Sequence, residues 1–213
     1  MKVAAVDFLR SAARAADFPR DPLAQIAFVG RSNVGKSSLI NALVKKPAAR
    51  TSAAPGKTRL INLYAITLAP GAAIERFYLV DLPGYGYARG GEASQDAFEV
   101  LTREYFACPP GGRHGASRHG EPLGPTAVLQ LVDIRHPGLP QDVAAHGWLA
   151  TQDRPHAVIA TKSDKLSRAE RSRALQTWKN SLNNTPVLPV SAASGEGMED
   201  LWTLIVRLLT ARP

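Results

Sequence analysis

The stretch "GRSNVGKSSLINAL", Gly30 to Leu43, stands directly behind the apolar run Ile26-Ala27-Phe28-Val29 and decides how the rest of the chain is read. Two glycines, a lysine and paired serines lie between a strand pattern and a helical one. Gly30-Arg31-Ser32-Asn33-Val34-Gly35-Lys36-Ser37 satisfies G-x-x-x-x-G-K-[ST], and a preceding strand with a following helix is the context this pattern needs. Glycines let main-chain N–H groups turn inward around phosphate oxygens, and a helix N-terminus adds partial positive charge. Lys36 is then placed to neutralise β- and γ-phosphates and the Ser37 hydroxyl to join a Mg²⁺ shell, with Ser38 a further nucleotide-binding candidate. The competing reading is a tight turn before a capped helix. The pattern alone does not separate ATP from GTP.

Further strand ends bear on the choice. Asp81-Leu82-Pro83-Gly84 ends the run Phe77-Tyr78-Leu79-Val80. A carboxylate there can hold a Mg²⁺-bound water, and the glycine N–H can meet a γ-phosphate. Thr161-Lys162-Ser163-Asp164 follows Val158-Ile159-Ala160. Guanine presents two adjacent donors, N1–H and the exocyclic amine; one carboxylate accepts both, and adenine has no such pair. Asp164 would therefore choose guanine, with the stem of Lys162 along the base. Val190-Ser191-Ala192-Ala193 closes a sixth strand, where a turn of small residues can bring a main-chain N–H to guanine O6. Alone, D-x-x-G and K-x-D read as ordinary turns. Four strand ends in this order on one sheet edge match the rule for ligand binding in open α/β folds, and together they point to GTP or GDP.

Around these motifs, strand patterns alternate with helical ones, which is the mark of a parallel α/β sheet. Strands are predicted at Ile26–Val29, Leu60–Leu68, Arg76–Asp81, Ala127–Asp133, His156–Thr161 and Pro186–Ser191. Helices are predicted at Ser37–Lys46, Ser94–Ala107, Gln141–Thr151, Arg168–Leu182 and Met198–Thr210. The link between the second and third strands is too short for a crossover helix, so one antiparallel pair is expected. The 213 residues, 45% of them hydrophobic, suit one globular domain. The single Cys108 allows no internal disulfide and fits a reducing compartment. No signal-peptide pattern or spanning segment is apparent, so a cytoplasmic protein is expected. A net charge of +8 suits polyanionic partners such as RNA, and equally a basic protein without one.

"GRSNVGKSSLINAL", "PGKTRLIN", "LVDLPGYGYA" and "ATKSDKL" together resemble the EngB family of translation-factor-type GTPases, over roughly Pro22 to Leu209. The resemblance implies an α/β fold: a Ras-like P-loop G domain over 23–213 behind an N-terminal extension, 1–22. Its sheet would be six-stranded and mostly parallel with one antiparallel edge strand, helices on both faces, and a Gly/Pro-rich insertion near 108–125. In Gly56-Lys57-Thr58, Thr58 would be the switch threonine that reaches Mg²⁺ and the γ-phosphate only in the GTP state. Lys46–Lys57 would belong to switch I and Tyr85–Gln95 to switch II. Metal contacts would come from Ser37, Thr58 and, through water, Asp81. Lys36, Thr58, Gly84 and Asn33 would serve hydrolysis of GTP to GDP and phosphate. The family also implies a monomer acting on large ribosomal subunit precursors or rRNA, and needed for normal cell division and septation.

Tyr85 follows D-L-P-G where the Ras branch carries its water-orienting glutamine. Asn33 resembles the asparagine that coordinates K⁺ beside the phosphates in related GTPases, although a structural role in the loop fits it equally. Slow intrinsic hydrolysis, quickened by K⁺ or a ribosomal partner, is the expectation. A P-loop ATP-dependent enzyme, and a nucleotide-stabilised RNA-binding scaffold without turnover, are the alternatives. Asp133, Arg135 and Asp142 in "LVDIRHPGLPQD" are expected to form an ion pair that orders the strand-to-helix turn, with His136 on the surface. Trp148, Trp178 and Trp202 are expected to pack, and Arg113 and Arg118 of the insertion are candidate RNA contacts.

Overall fold

The computed structural model describes residues 1–49, 60–85, 92–112 and 120–210, with 92–98 described by backbone alone. The chain runs β1 (Val3–Ala12), β2 (Gln25–Gly30), α1 (Lys36–Val44), β3 (Ile61–Leu68), β4 (Arg76–Asp81), α2 (Glu92–Ala107), β5 (Ala127–Asp133), α3 (Pro140–Ala150), β6 (His156–Thr161), α4 (Arg168–Ser181), β7 (Val187–Pro189) and α5 (Met198–Thr210). These strands form one sheet in the order β1-β3-β4-β2-β5-β6-β7. From β4 through β7 every pairing is parallel.

β2 and β5 lie in the middle and are buried at every residue, as expected for parallel strands covered on both faces. Alternate side chains feed two cores. Ile26, Phe28, Leu129 and Leu131 pack with Leu39, Ile40 and Leu43 of α1 and Leu201, Trp202 and Ile205 of α5. Ala27, Val29 and Val128 face the other way, toward Leu101, Tyr105 and Phe106 of α2 and Leu149 of α3. Trp178 of α4 is fully buried with Val132, Val158 and Ala160. Trp202 meets Phe77 edge-on, and Trp148 meets Phe106 with ring centroids 4.8 Å apart. The expected packing of all three tryptophans is thus present.

Two expectations are corrected. Among the described residues the sheet has seven strands, because residues 3–12 form β1, and two antiparallel pairs occur, β1 with β3 and β3 with β4. β1 escaped the sequence because two register shifts, between Val3 and Ala5 and between Phe8 and Arg10, break its two-residue alternation. As an edge strand it also carries exposed Asp7 and Arg10 among its apolar residues.

The segment near 108–125 is pinned at its base. Gly124 N–H donates to the Pro109 carbonyl, Leu123 N–H to that of Pro19 and Gly112 N–H to that of Pro22. A Cβ on Gly124 would lie 2.4 Å from the Tyr105 carbonyl oxygen, so only glycine closes this base. Thr126 N–H donates to the carbonyl of Gln25, the first residue of β2. The segment therefore joins the sheet where β2 and β5 begin, away from the strand ends that carry the motifs. Arg113 and Arg118 lie outside the described residues.

Candidate active site

Behind β2 the chain turns through left-handed backbone at Asn33 (φ 62°) and Gly35 (φ 110°), and α1 starts at Lys36. A side chain at Gly30 would meet the Leu131 carbonyl oxygen at 2.7 Å. The turn therefore depends on glycine at both ends for different reasons, a close approach at Gly30 and a positive φ at Gly35. Lys36 is nearly buried, and its ammonium donates to the Gly30 and Arg31 carbonyls at 2.9 and 3.2 Å. Burial pushes its pKa down, with the Asp81 carboxylate pulling the other way.

Asp81 ends β4 beside this turn and accepts from the Ser37 hydroxyl at 2.9 Å through Oδ2. Its other oxygen, Oδ1, is buried and has no hydrogen-bond partner among the described residues. Burial raises its carboxyl against the opposing pull of Lys36 and Ser37. A hydroxyl and a carboxylate with an oxygen left over form a donor set suited to a hard cation such as Mg²⁺.

The next residues lie on the phosphate loop itself. Leu82 N–H continues the sheet to the Phe28 carbonyl, and Leu82 and Pro83 are buried. A Cβ on Gly84 would stand 2.5 Å from the Ser32 nitrogen. Ser32 N–H donates to the Tyr85 carbonyl at 3.2 Å, and its hydroxyl reaches the Gly84 carbonyl at 3.4 Å. The Tyr85 hydroxyl is directed to Asp142, donating to Oδ1 at 2.8 Å.

At the far end of the cleft, Thr161 Oγ1 donates to the Val34 carbonyl at 2.6 Å, and Lys162 Nζ donates to the Asn33 carbonyl at 2.7 Å and to Asp133 Oδ2 at 2.8 Å. Ser191 is fully buried; its hydroxyl accepts from the N–H groups of Ala193 and Ser194 and donates to Asp164 Oδ1 at 2.6 Å. That bond, foremost, and Lys165 hold the Asp164 carboxyl below its usual range. Ser163 is buried and donates to Glu196 Oε2 at 2.8 Å, while Arg171 of α4 pairs with the same carboxylate. A cleft of about 600 Å³ is lined by Gly35, Ser38, Leu39, Lys162, Asp164 and Ala193, among others.

The structure thus gathers most of the predicted residues at one sheet edge. Ala192 also lines the cleft. Val190 does not: its side chain is core, and its main chain bonds to Ala160 and Ser163. Gly56, Lys57 and Thr58 lie outside the described residues, as do 50–55 of switch I and 86–91 of switch II. The expected Asp133–Arg135 pair is present at 2.7 Å. Asp142 is corrected: it lies in the first turn of α3 and pairs with Arg31 of the phosphate loop, Nε to Oδ2 at 3.0 Å. His136 is exposed. Motif reading missed the Ser191 hydroxyl, Asp133 as a partner of Lys162, and Glu196, because their work is done on other side chains.

The family model described as 50S ribosome-binding GTPase matches residues 25–162. The "Probable GTP-binding protein EngB" of Pelotomaculum thermopropionicum is 40% identical over 211 residues, spanning 97% of this chain and 96% of its own. A crystal structure described as a probable GTP-binding protein engB superposes with a TM-score of 0.65 at 23% identity, over 89% of this chain and all of that one. Era, crystallised with MgGDPNP and a segment of 16S ribosomal RNA, superposes with a TM-score of 0.69 at 19% identity, over 91% of this chain and 59% of that one. By the family model and the Pelotomaculum relative, the chain belongs to the EngB family of GTP-binding proteins, and it is a P-loop GTPase.

Proposed function

We propose that this GTPase is a nucleotide-operated switch acting on precursors of the large ribosomal subunit, through rRNA or a ribosomal protein, and that normal cell division and septation depend on it. The observation that carries the switch is the cleft itself. Asp164 is held ionised by Ser191 at one end, Lys36 and the Gly30–Ser37 turn form the other, and Lys162 ties the two together. A carboxylate there accepts the two donors of guanine. The turn N–H groups from Ser32 to Ser38, with the Lys36 ammonium, receive the phosphates.

Ser37 and, through water, Asp81 would hold Mg²⁺, joined by Thr58 in the GTP state; the orphaned Asp81 Oδ1 supports this assignment. Bound Mg²⁺ supplies positive charge against the phosphate oxygens. Gly84 N–H would report the γ-phosphate, and loss of that contact on hydrolysis would free Gly84 and Thr58 together. Tyr85, not a glutamine, follows Gly84, so no side chain of the Ras type orients water from that position and intrinsic turnover is slow. Asn33, exposed on the turn, is the K⁺ candidate. The matched family's description and the +8 charge support a ribosomal partner. The reading places the protein in the cytoplasm as a monomer.

Two measurements test it. Large-subunit precursors should retain the protein in sedimentation with a non-hydrolysable GTP analogue and release it with GDP; equal retention in both states overturns the switch. Turnover should rise in K⁺ over Na⁺ buffer and lose that difference in Asn33→Ala, whereas fast turnover in Na⁺ without ribosomal particles contradicts it.

A further inference from the structure

The contact between Asp142 and the two phosphate-facing loops has no part in gripping guanine. Asp142 is fully buried, yet its carboxylate takes the Arg31 Nε–H across both oxygens at 3.0 and 3.1 Å and the Tyr85 hydroxyl at 2.8 Å. Arg31 is the second residue of the phosphate loop, and Tyr85 is the residue after the glycine of D-L-P-G. Main-chain contacts join the same two segments: Arg31 and Tyr85 form a parallel bridge, and Ser32 N–H donates to the Tyr85 carbonyl. Asp142 is itself anchored, because Gln130 of β5 donates to its carbonyl and is held in turn by His146. Burial and the Asp142 charge keep the phenol of Tyr85 protonated, hence a donor.

We propose that Asp142 and Tyr85 form a latch that holds the entrance of switch II against the phosphate loop and sets the balance between diphosphate and triphosphate binding. The inference rests on the reading of the cleft as a GTP/GDP switch. In the latched arrangement the Gly84 backbone is in contact with Ser32, with room for no more than a hydrogen at its α-carbon. The Ser32 N–H and the Lys36 ammonium are both engaged by main-chain carbonyls. A γ-phosphate between Gly84 and the loop needs those donors, and needs Gly84 to draw back. Tyr85 is the neighbour of Gly84, so its bond to Asp142 opposes that movement. Of the two donors on Asp142, Arg31 grips both oxygens and Tyr85 only one, which makes the phenol the exchangeable partner. A ligand shifts such an equilibrium only by its differential affinity for the two arrangements. Weakening the latch therefore favours the triphosphate and leaves the diphosphate nearly unaffected.

The test is Tyr85→Phe, which removes one hydroxyl. Affinities for GDP and for a non-hydrolysable GTP analogue are measured by calorimetry on the full chain. The ratio should move toward the triphosphate by about tenfold, the scale of one hydrogen bond to a charged group, with GDP affinity changed less than threefold. A shift below threefold, or one toward GDP, overturns the latch. Asp142→Asn supplies the second arm: Tyr85→Phe made in that background should shift the ratio by less than half as much on a logarithmic scale. An undiminished shift shows that Asp142 is not the partner and overturns the proposal. If Asp142→Asn does not fold, the Tyr85→Phe ratio still decides. A wild-type chain that binds no GDP would sink the switch reading; one that binds GDP while Tyr85→Phe leaves the ratio unmoved sinks only the latch.

Discussion

Lys162 and Asp133 form an ion pair, Nζ to Oδ2 at 2.8 Å, and the same ammonium holds the Asn33 carbonyl at 2.7 Å. The lysine of the base-reading motif is thereby a strut between that motif and the phosphate loop. Its removal should damage phosphate and base binding together. Each hydrogen bond involving a charged group contributes about 1.5–3 kcal/mol, so Lys162→Ala should weaken GDP binding by about 100-fold in calorimetry. Asp133→Asn leaves the Asn33 contact and should cost about tenfold. Equal losses in the two variants would mean that the strut to Asn33 is not what Lys162 contributes.

Asp133 also predicts a pH dependence. Burial pushes its carboxyl up, but hydrogen bonds from Arg135 and Lys162 outweigh burial and leave it well below the usual range. A carboxyl whose folded-state pKa is depressed adds stability that is complete above the unfolded value, about 3.9, and is lost as pH falls through the folded value. The stability difference between wild type and Asp133→Asn should therefore be flat from about pH 6 to 8 and shrink below about pH 4. Urea unfolding across that range measures it. A difference that grows on acidification would show that the pair does not depress this carboxyl.

In the proposed reading, base choice rests on Asp164 and on the hydroxyl behind it. Asp164→Asn replaces one acceptor oxygen with a donor, so guanine should lose affinity about 100-fold while xanthine, which carries an acceptor in place of the amine, gains. Ser191→Ala removes the bond that orients Asp164 and leaves the Ala193 and Ser194 N–H groups without their acceptor. It should weaken GDP by about tenfold without admitting xanthine nucleotides. Competition binding with GDP and XDP separates these outcomes.

Much of the candidate site's geometry was legible because each of its motifs is local. A glycine turn, a carboxylate at a strand end or a K-x-D triplet carries its chemistry within a few residues. The five interior strands and the final helix also announced themselves, since burial on both faces or a 3.6-residue stripe leaves a strong pattern. What the sequence concealed is long-range. Nothing near Arg31 indicates that its partner is Asp142, 111 positions away, and Asp142 looked instead like a neighbour of Arg135. β1 was hidden by its register shifts. Ser191 was valued for its main chain alone, because a buried hydroxyl that orients an acid looks in sequence like any small turn residue.

Gly84 offers a test that separates binding from turnover. Alanine there would put its Cβ 2.5 Å from the Ser32 nitrogen, a distance main-chain atoms do not yield to without moving apart. In the proposed reading only Ser32 of the diphosphate-holding groups has to move, so Gly84→Ala should bind GDP within about tenfold of wild type, whereas one lost transition-state contact costs about 100-fold or more in turnover. Single-turnover hydrolysis measured beside GDP binding checks both halves. Turnover within tenfold of wild type would remove Gly84 from the reacting end of the site.

The edge strand makes the last prediction. β1 pairs along the whole of β3, from Val3 with Leu68 to Ala12 with Ile61. It buries Ala12 completely and Val3 and Val6 in part, which at ordinary burial energies amounts to about 3 kcal/mol. Deleting residues 1–12 would also leave the N–H and C=O groups of β3 as an open edge, and β3 carries no charged residue, unlike the strand that covers it. Open apolar edges recruit other chains. The truncated protein should unfold at lower urea, by about 3 kcal/mol, and should associate with rising concentration in light scattering. GDP affinity of its monomeric fraction should stay near wild type, because β1 lies at the opposite side of the sheet from Asp164 and Ser191. A truncated chain as stable and as monomeric as the full one would mean that β1 adds nothing to the domain.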